Sequence, residues 1–146
     1  MRTTFQSEVM EILGITEKKV SSIPLDKERE FYAVAFGLYE KGDYRGAAAL
    51  FTQLVLTDPF SEHYWQGLAS SKQMASEYQA AMHAWSMVAL LKEGDPLPHF
   101  HAAECLLSLD DKAEALKALD AALNFCKDEQ LQEKIHLLKA IHYARY

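Results

Sequence analysis

Residues 41–51 read KGDYRGAAALF, and their pattern returns twice, as ASEYQAAMHAW at 75–85 and LDDKAEALKAL at 109–119. Ala47, Ala81 and Ala115 are 34 positions apart. Each is followed four residues later by a large apolar residue: Phe51, Trp85 and Leu119. Three residues earlier stand Tyr44, Tyr78 and Lys112, the last residues of the polar turns KGDY (41–44), SEY (76–78) and LDDK (109–112). A fixed period of this length marks a repeat architecture and is the first thing to settle about the chain.

Upstream, the register holds. Phe31, Trp65 and His99 share a column, as do Val34, Leu68 and Ala102, and Ala35, Ala69 and Ala103. Three windows therefore align without a gap, at 28–61, 62–95 and 96–129. Glycine and proline are few and β-branched residues never alternate, so the chain reads as helical nearly throughout. Two antiparallel helices approach closely only where small side chains meet, which alanine at columns 8 and 20 provides. Bulky residues at columns 4 and 24 fill the space between units. The pattern resembles the tetratricopeptide repeat. The expectation is an all-α chain, an α-solenoid of three such repeats, each a helix hairpin that buries its apolar face only by stacking on its neighbours. Asp58-Pro59 ends the first unit and Gly94-Asp95-Pro96 the second.

The flanks differ from the repeats. Residues 130–146 place Leu131, Ile135, Leu138 and Ile141/His142 at helical spacing, which predicts a C-terminal capping helix. Residues 1–27 predict a short N-terminal helix and a linker. Phe5, Val9, Ile12 and Leu13 form its apolar face, which stops at Gly14. These four residues either cap the first repeat or pair with a second copy, and are the dimerisation candidates.

The 146-residue chain is 49% apolar and 25% charged, with a formal net charge of −6. That balance argues against nucleic acid and against stable binding to anionic membranes, both of which want basic stripes. Cys105 and Cys126 show neither CxxC spacing nor disulfide density, as expected in a reducing compartment. The N-terminal residues carry Glu8 and Glu11 and no long apolar run, unlike a secretory signal. No cofactor motif stands out.

The segment HFHAAEC (99–105) collects two histidines, a glutamate and a cysteine in seven positions. On a helix each residue turns about 100°, so His99 and His101 lie about 200° apart. Only His101 and Cys105 share a face, and a zinc site needs three or four converging ligands. Cys105 occupies a column that carries Gly37 and Ser71 elsewhere, which is a place for a small buried residue. A Cys-His hydrolase would further need an oxyanion hole and an orienting group. No metal or catalytic residue is assigned, and the expectation is a protein that is not an enzyme.

PHFHAAECLL, with FYAVAFGLYEKGDY upstream and the three-repeat layout, resembles the class II chaperones of bacterial type III secretion, the low-calcium-response chaperone family. The resemblance covers about residues 25 to 125. It implies a chaperone of the bacterial cytoplasm that keeps hydrophobic translocator proteins soluble. It further implies a concave groove for an extended N-terminal segment of the type Pro-x-Leu-x-x-Pro, and a homodimer formed through N-terminal helices. The groove aromatics of the family fall on Tyr32, Phe36 and Tyr39, with Tyr44 at the turn. The matching columns give Gln66, Ser70 and Gln73 in the second repeat, and Phe100, Glu104 and Leu107 in the third. His101 joins Glu104 as a candidate that either meets a ligand or ties helices together. Phe31, Val34, Ala35 and Leu38 fill the inward columns, so the stripe Tyr32–Phe36–Tyr39 needs a partner of its own. Trp65, Trp85 and Phe51 are core by column. The second helix is less aromatic than the family pattern, and Ser76 stands where glycine is usual.

Two other readings compete. One is a generic repeat adaptor or scaffold in another assembly. Adaptors that clamp a C-terminal carboxylate use lysine, arginine and asparagine on the concave columns, where this chain has Tyr32, Phe36, Gly67, Leu97 and His101. The other is an enzyme centred on Cys105 and His101.

Overall fold

The computed structural model describes residues 23–143. Phe5, Val9, Ile12 and Leu13 lie outside these residues. A 3-10 turn at Leu25–Lys27 leads into α1 (Glu28–Glu40) and α2 (Tyr44–Thr57). The second hairpin is α3 (Glu62–Met74) with α4 (Tyr78–Leu91), and the third is α5 (Pro96–Ser108) with α6 (Lys112–Phe125). A last helix, α7 (Glu129–Tyr143), follows. Each helix packs on the next along the chain, and α1 also meets α3. This is an all-α solenoid of three tetratricopeptide hairpins with a C-terminal helix.

The alanine columns do what their size allows. Ala35, Ala69 and Ala103, and Ala47, Ala81 and Ala115, are all fully buried. Phe51, Trp85 and Leu119 lie in the core beside them. Trp65 is enclosed between hairpins, and its indole N–H donates to the carbonyl of Pro59 at 2.7 Å, so burial leaves no polar group unpaired there. Val34, expected in an inward column, is 54% exposed, whereas Leu68 and Ala102 of the same column are buried. Leu68 and Ala102 sit on helices that pack against the preceding hairpin, α3 on α2 and α5 on α4. Among the described residues no hairpin precedes α1.

The first helix of every hairpin ends in the same way. Asp43 N–H reaches Leu38 O, Glu77 N–H reaches Lys72 O, and Asp111 N–H reaches Leu106 O, each at 2.9 Å. This closure requires a left-handed residue just before the donor. Gly42 holds it at φ +87°, but Ser76 and Asp110 hold it at +63° and +60°. An L-residue there costs about 1–2 kcal/mol, and glycine's greater unfolded freedom takes back about 0.5–1 kcal/mol of the relief. Ser76→Gly is therefore expected to stabilise by up to about 1 kcal/mol, and Asp110→Gly by less, since aspartate tolerates this region better than most residues. Urea midpoints at unchanged slope would check both, and a loss of stability in Ser76→Gly would refute the cost assigned to the turn.

Helix starts are capped by side chains. Asp43, Ser61, Asp95 and Asp111 accept from the N–H groups of Gly46, Tyr64, Leu97 and Glu114. Pro96 follows its cap at the first helical position, where its missing N–H costs nothing.

The interior divides into two apolar groups that share α5. Ala102 and Cys105 face the group formed with α1 to α4. Phe100 and Ala103 face Leu119, Ala122, Cys126, Leu131 and Ile135. On α7, Leu131 and Ile135 are buried and Leu138 packs beside them, but Ile141 is 64% exposed. Tyr143 takes the position expected of Ile141. Its ring packs on the same group, and its hydroxyl donates to Lys112 O at 2.6 Å. Lys139 adds an ion pair to Asp120 at 2.9 Å.

Candidate functional site

On α1 the i, i+4, i+7 spacing brings Tyr32, Phe36 and Tyr39 onto one face. Tyr32 stacks on Phe36 at 6.3 Å between ring centroids, meets Phe51 edge-on at 5.9 Å, and lies 5.8 Å from Tyr64. Tyr39 meets Tyr44 edge-on at 5.3 Å. Phe36 is 47% exposed, an unusual state for a large aromatic flanked by others. Burial, and then the neighbouring Tyr44, push the Tyr39 phenol above its ordinary pKa, so Tyr39 stays a neutral donor.

The stripe walls a hollow of about 190 Å³. The opposite wall is the face of α3 that carries His63, Gln66, Gly67 and Ser70, and Phe51 of α2 closes the floor. Gly67 makes this possible, since a Cβ there would overlap the Phe51 ring. Gly67→Ala gains about 1 kcal/mol in helix propensity but forces a buried ring to move, at about 1–3 kcal/mol. The crowding wins, and a net loss of about 1 kcal/mol is expected in urea unfolding. A stabilised variant would show that Phe51 yields freely.

A second hollow of about 280 Å³ opens beside the first, with Tyr39 and Ser70 lining both. Its other residues are Gln73, Met74, Trp85, His101 and Glu104. A polar ring fixes its shape. Trp85 Nε1–H donates to Gln73 Oε1 at 2.8 Å, and Gln73 Nε2 donates to Glu104 Oε1 at 3.3 Å. His101 Nδ1 donates to the same Oε1 at 2.7 Å, while its ring stacks on Trp85 at 4.6 Å. Three helices, α3, α4 and α5, are tied together at this point.

The structure thus gathers Tyr32, Phe36, Tyr39, Gln66 and Ser70 around the first hollow, and Gln73, His101 and Glu104 around the second. Among the described residues, Tyr44 reaches the site through the ring of Tyr39 and lines neither hollow. Phe100, expected in the groove, is 8% exposed and belongs to the core with Leu119 and Ile135. The third hairpin stacks on α7, which draws that column inward. Leu107 is half-buried and lines neither hollow. Phe51 and Trp85, assigned to the core, are buried as expected and also form floor and wall of the hollows. His63 and Met74 carried no signal in the repeat columns, and Gly67 was read only as a concave position without a clamp residue, although a lone glycine inside a helical pattern often marks a close approach.

Each residue of HFHAAEC has a distinct place. His99 stacks on Phe125 at 5.7 Å, and burial lowers its pKa despite the nearby Asp95. Burial, and then Glu104, push the Cys105 thiol up to about 12, which favours the protonated thiol over the thiolate. Among the described residues no three His, Cys, Asp or Glu side chains are placed to hold a metal ion, and no helix is long and apolar enough to cross a membrane.

No protein-family model matches the chain. It is 32% identical over 116 residues to low calcium response locus protein H of Yersinia pestis, covering 80% of this chain and 69% of that one. The structure of the Yersinia enterocolitica type III secretion chaperone SycD in complex with a peptide of the translocator YopD superposes with a TM-score of 0.70 at 30% identity, over 81% of this chain and 91% of that one. PcrH in complex with the chaperone binding region of PopB gives a TM-score of 0.66 at 28% identity, over 77% and 91%. A helical-repeat scaffold, an aromatic furrow and this degree of identity agree: the chain belongs to the class II type III secretion chaperones of translocator proteins, the low-calcium-response chaperone family.

Proposed function

We propose that this chain is a non-enzymatic chaperone of the bacterial cytoplasm that holds an extended N-terminal segment of a hydrophobic translocator protein and keeps it soluble for export. The observation that carries this reading is the aromatic stripe of α1, with Phe36 half exposed over a hollow already walled by Tyr32 and Tyr39. A hollow of about 190 Å³ suits one or two apolar side chains of a Pro-x-Leu-x-x-Pro segment, and the adjoining Gln66, Ser70 and Gln73 supply amide and hydroxyl partners for an extended backbone. The SycD complex with a YopD peptide and the PcrH complex with a PopB region support the assignment by family. The test is a fluorescence-anisotropy titration with a labelled peptide carrying Pro-x-Leu-x-x-Pro. Saturable binding that disappears when the three anchors become alanine is expected. Equal binding of both peptides would sink the groove assignment.

A further inference from the structure

Along the groove the chemistry of one repeat column changes from Phe36 through Ser70 to Glu104. Only the last carries a charge. Glu104 is held from two helices, with Gln73 and His101 both donating to its Oε1. Among the described contacts its Oε2 accepts no hydrogen bond, and the side chain is 37% exposed, open to a ligand in the second hollow yet partly withdrawn from water. The other lining groups of that hollow are uncharged side chains and the imidazole already engaged with Glu104. A fixed carboxylate with one oxygen free is a preorganised acceptor, and it favours a cationic donor over a neutral one.

We infer that Glu104 makes the second hollow a subsite for a lysine or arginine side chain of the bound segment, and thereby fixes the direction in which that segment lies. Its apolar anchor sits on the aromatic stripe of α1 and its cation on Glu104, so a reversed segment cannot satisfy both. The net charge of −6 adds only a diffuse attraction, which salt screens and which has no preferred position. Gln73 and His101 are positioning residues for this carboxylate.

The inference rests on the groove reading above, and a lysine walk separates the two. The reference is a labelled peptide with Pro-x-Leu-x-x-Pro anchors and otherwise neutral residues. Each member of the set places one lysine at a successive neutral position on either side. An affinity gain of about three- to fivefold is expected, the range of a partly exposed ion pair, confined to one position or two neighbours on one side of the anchors. Glu104→Gln, which keeps the acceptor oxygen for Gln73 and His101, should abolish that gain, read as the ratio of lysine-bearing to neutral peptide affinity within the same variant. A gain equal at all positions, a gain that survives Glu104→Gln, or no gain overturns the subsite and leaves the groove standing. Failure of the neutral peptide to bind overturns the groove assignment itself, and the subsite with it.

Discussion

Phe36→Ala is expected to weaken the anchor peptide at least tenfold while lowering folding stability by no more than about 1 kcal/mol. The first figure follows from the behaviour of aromatic anchors at the centre of an interface, where truncation costs about 2 kcal/mol or more. The second follows from exposure. Phe36 already leaves nearly half its surface in water, and among the described residues its ring contact is the stack on Tyr32. Tyr32 is a poorer probe because it also packs on Phe51 and Tyr64, so its removal would mix binding with folding. Anisotropy and urea unfolding on the same protein give both numbers. Lost helicity in Phe36→Ala would return the stripe to the core, and unchanged affinity would move the ligand elsewhere.

Trp65→Ala should be the more damaging change to the fold, at about 3–5 kcal/mol. The indole is fully buried and it supplies the donor for the Pro59 carbonyl, itself on a buried residue. Removing it leaves a cavity and an unpaired acceptor together. Its position raises the stakes, because Trp65 lies where the second hairpin stacks on the first, and a solenoid is held by such nearest-neighbour interfaces. Set against a typical domain stability of about 5–15 kcal/mol, the loss is a large share. Trp65→Phe should cost less, since it retains most of the volume and loses the N–H. Urea midpoints followed by circular dichroism would rank the two. A loss under about 1 kcal/mol in Trp65→Ala would mean that the hairpins do not depend on this contact.

The alanine columns explain why so much of the fold was legible. A small residue recurring at 35, 69 and 103, and again at 47, 81 and 115, has one cheap explanation, the close approach of paired helices, and all six side chains are fully buried. The turns themselves were legible as polar breaks between helices, while the left-handed φ at Gly42, Ser76 and Asp110 belongs to the hairpin closure that surrounds each. The aromatic stripe was legible too, as a helical face with no partner in its own repeat.

Where the periodic reading failed, it failed at the ends, since a column treats three repeats as equivalent and their surroundings are not. Val34 is exposed because no described hairpin lies before α1, and Phe100 is buried because α7, outside the register, closes over the third hairpin. The polar ring escaped for a different reason. His101 and Glu104 share a face of α5, three residues apart, but Gln73 and Trp85 come from two other helices, up to 31 positions away, and nothing in that spacing requires them to meet the pair. Periodicity in the chain fixes which faces are apolar and where helices turn, because those follow from side-chain size and backbone geometry repeated locally. Which side chain fills a wedge, which floors a hollow and which carboxylate oxygen is left free depends on how neighbouring hairpins stack, and that is a property of the packed solenoid.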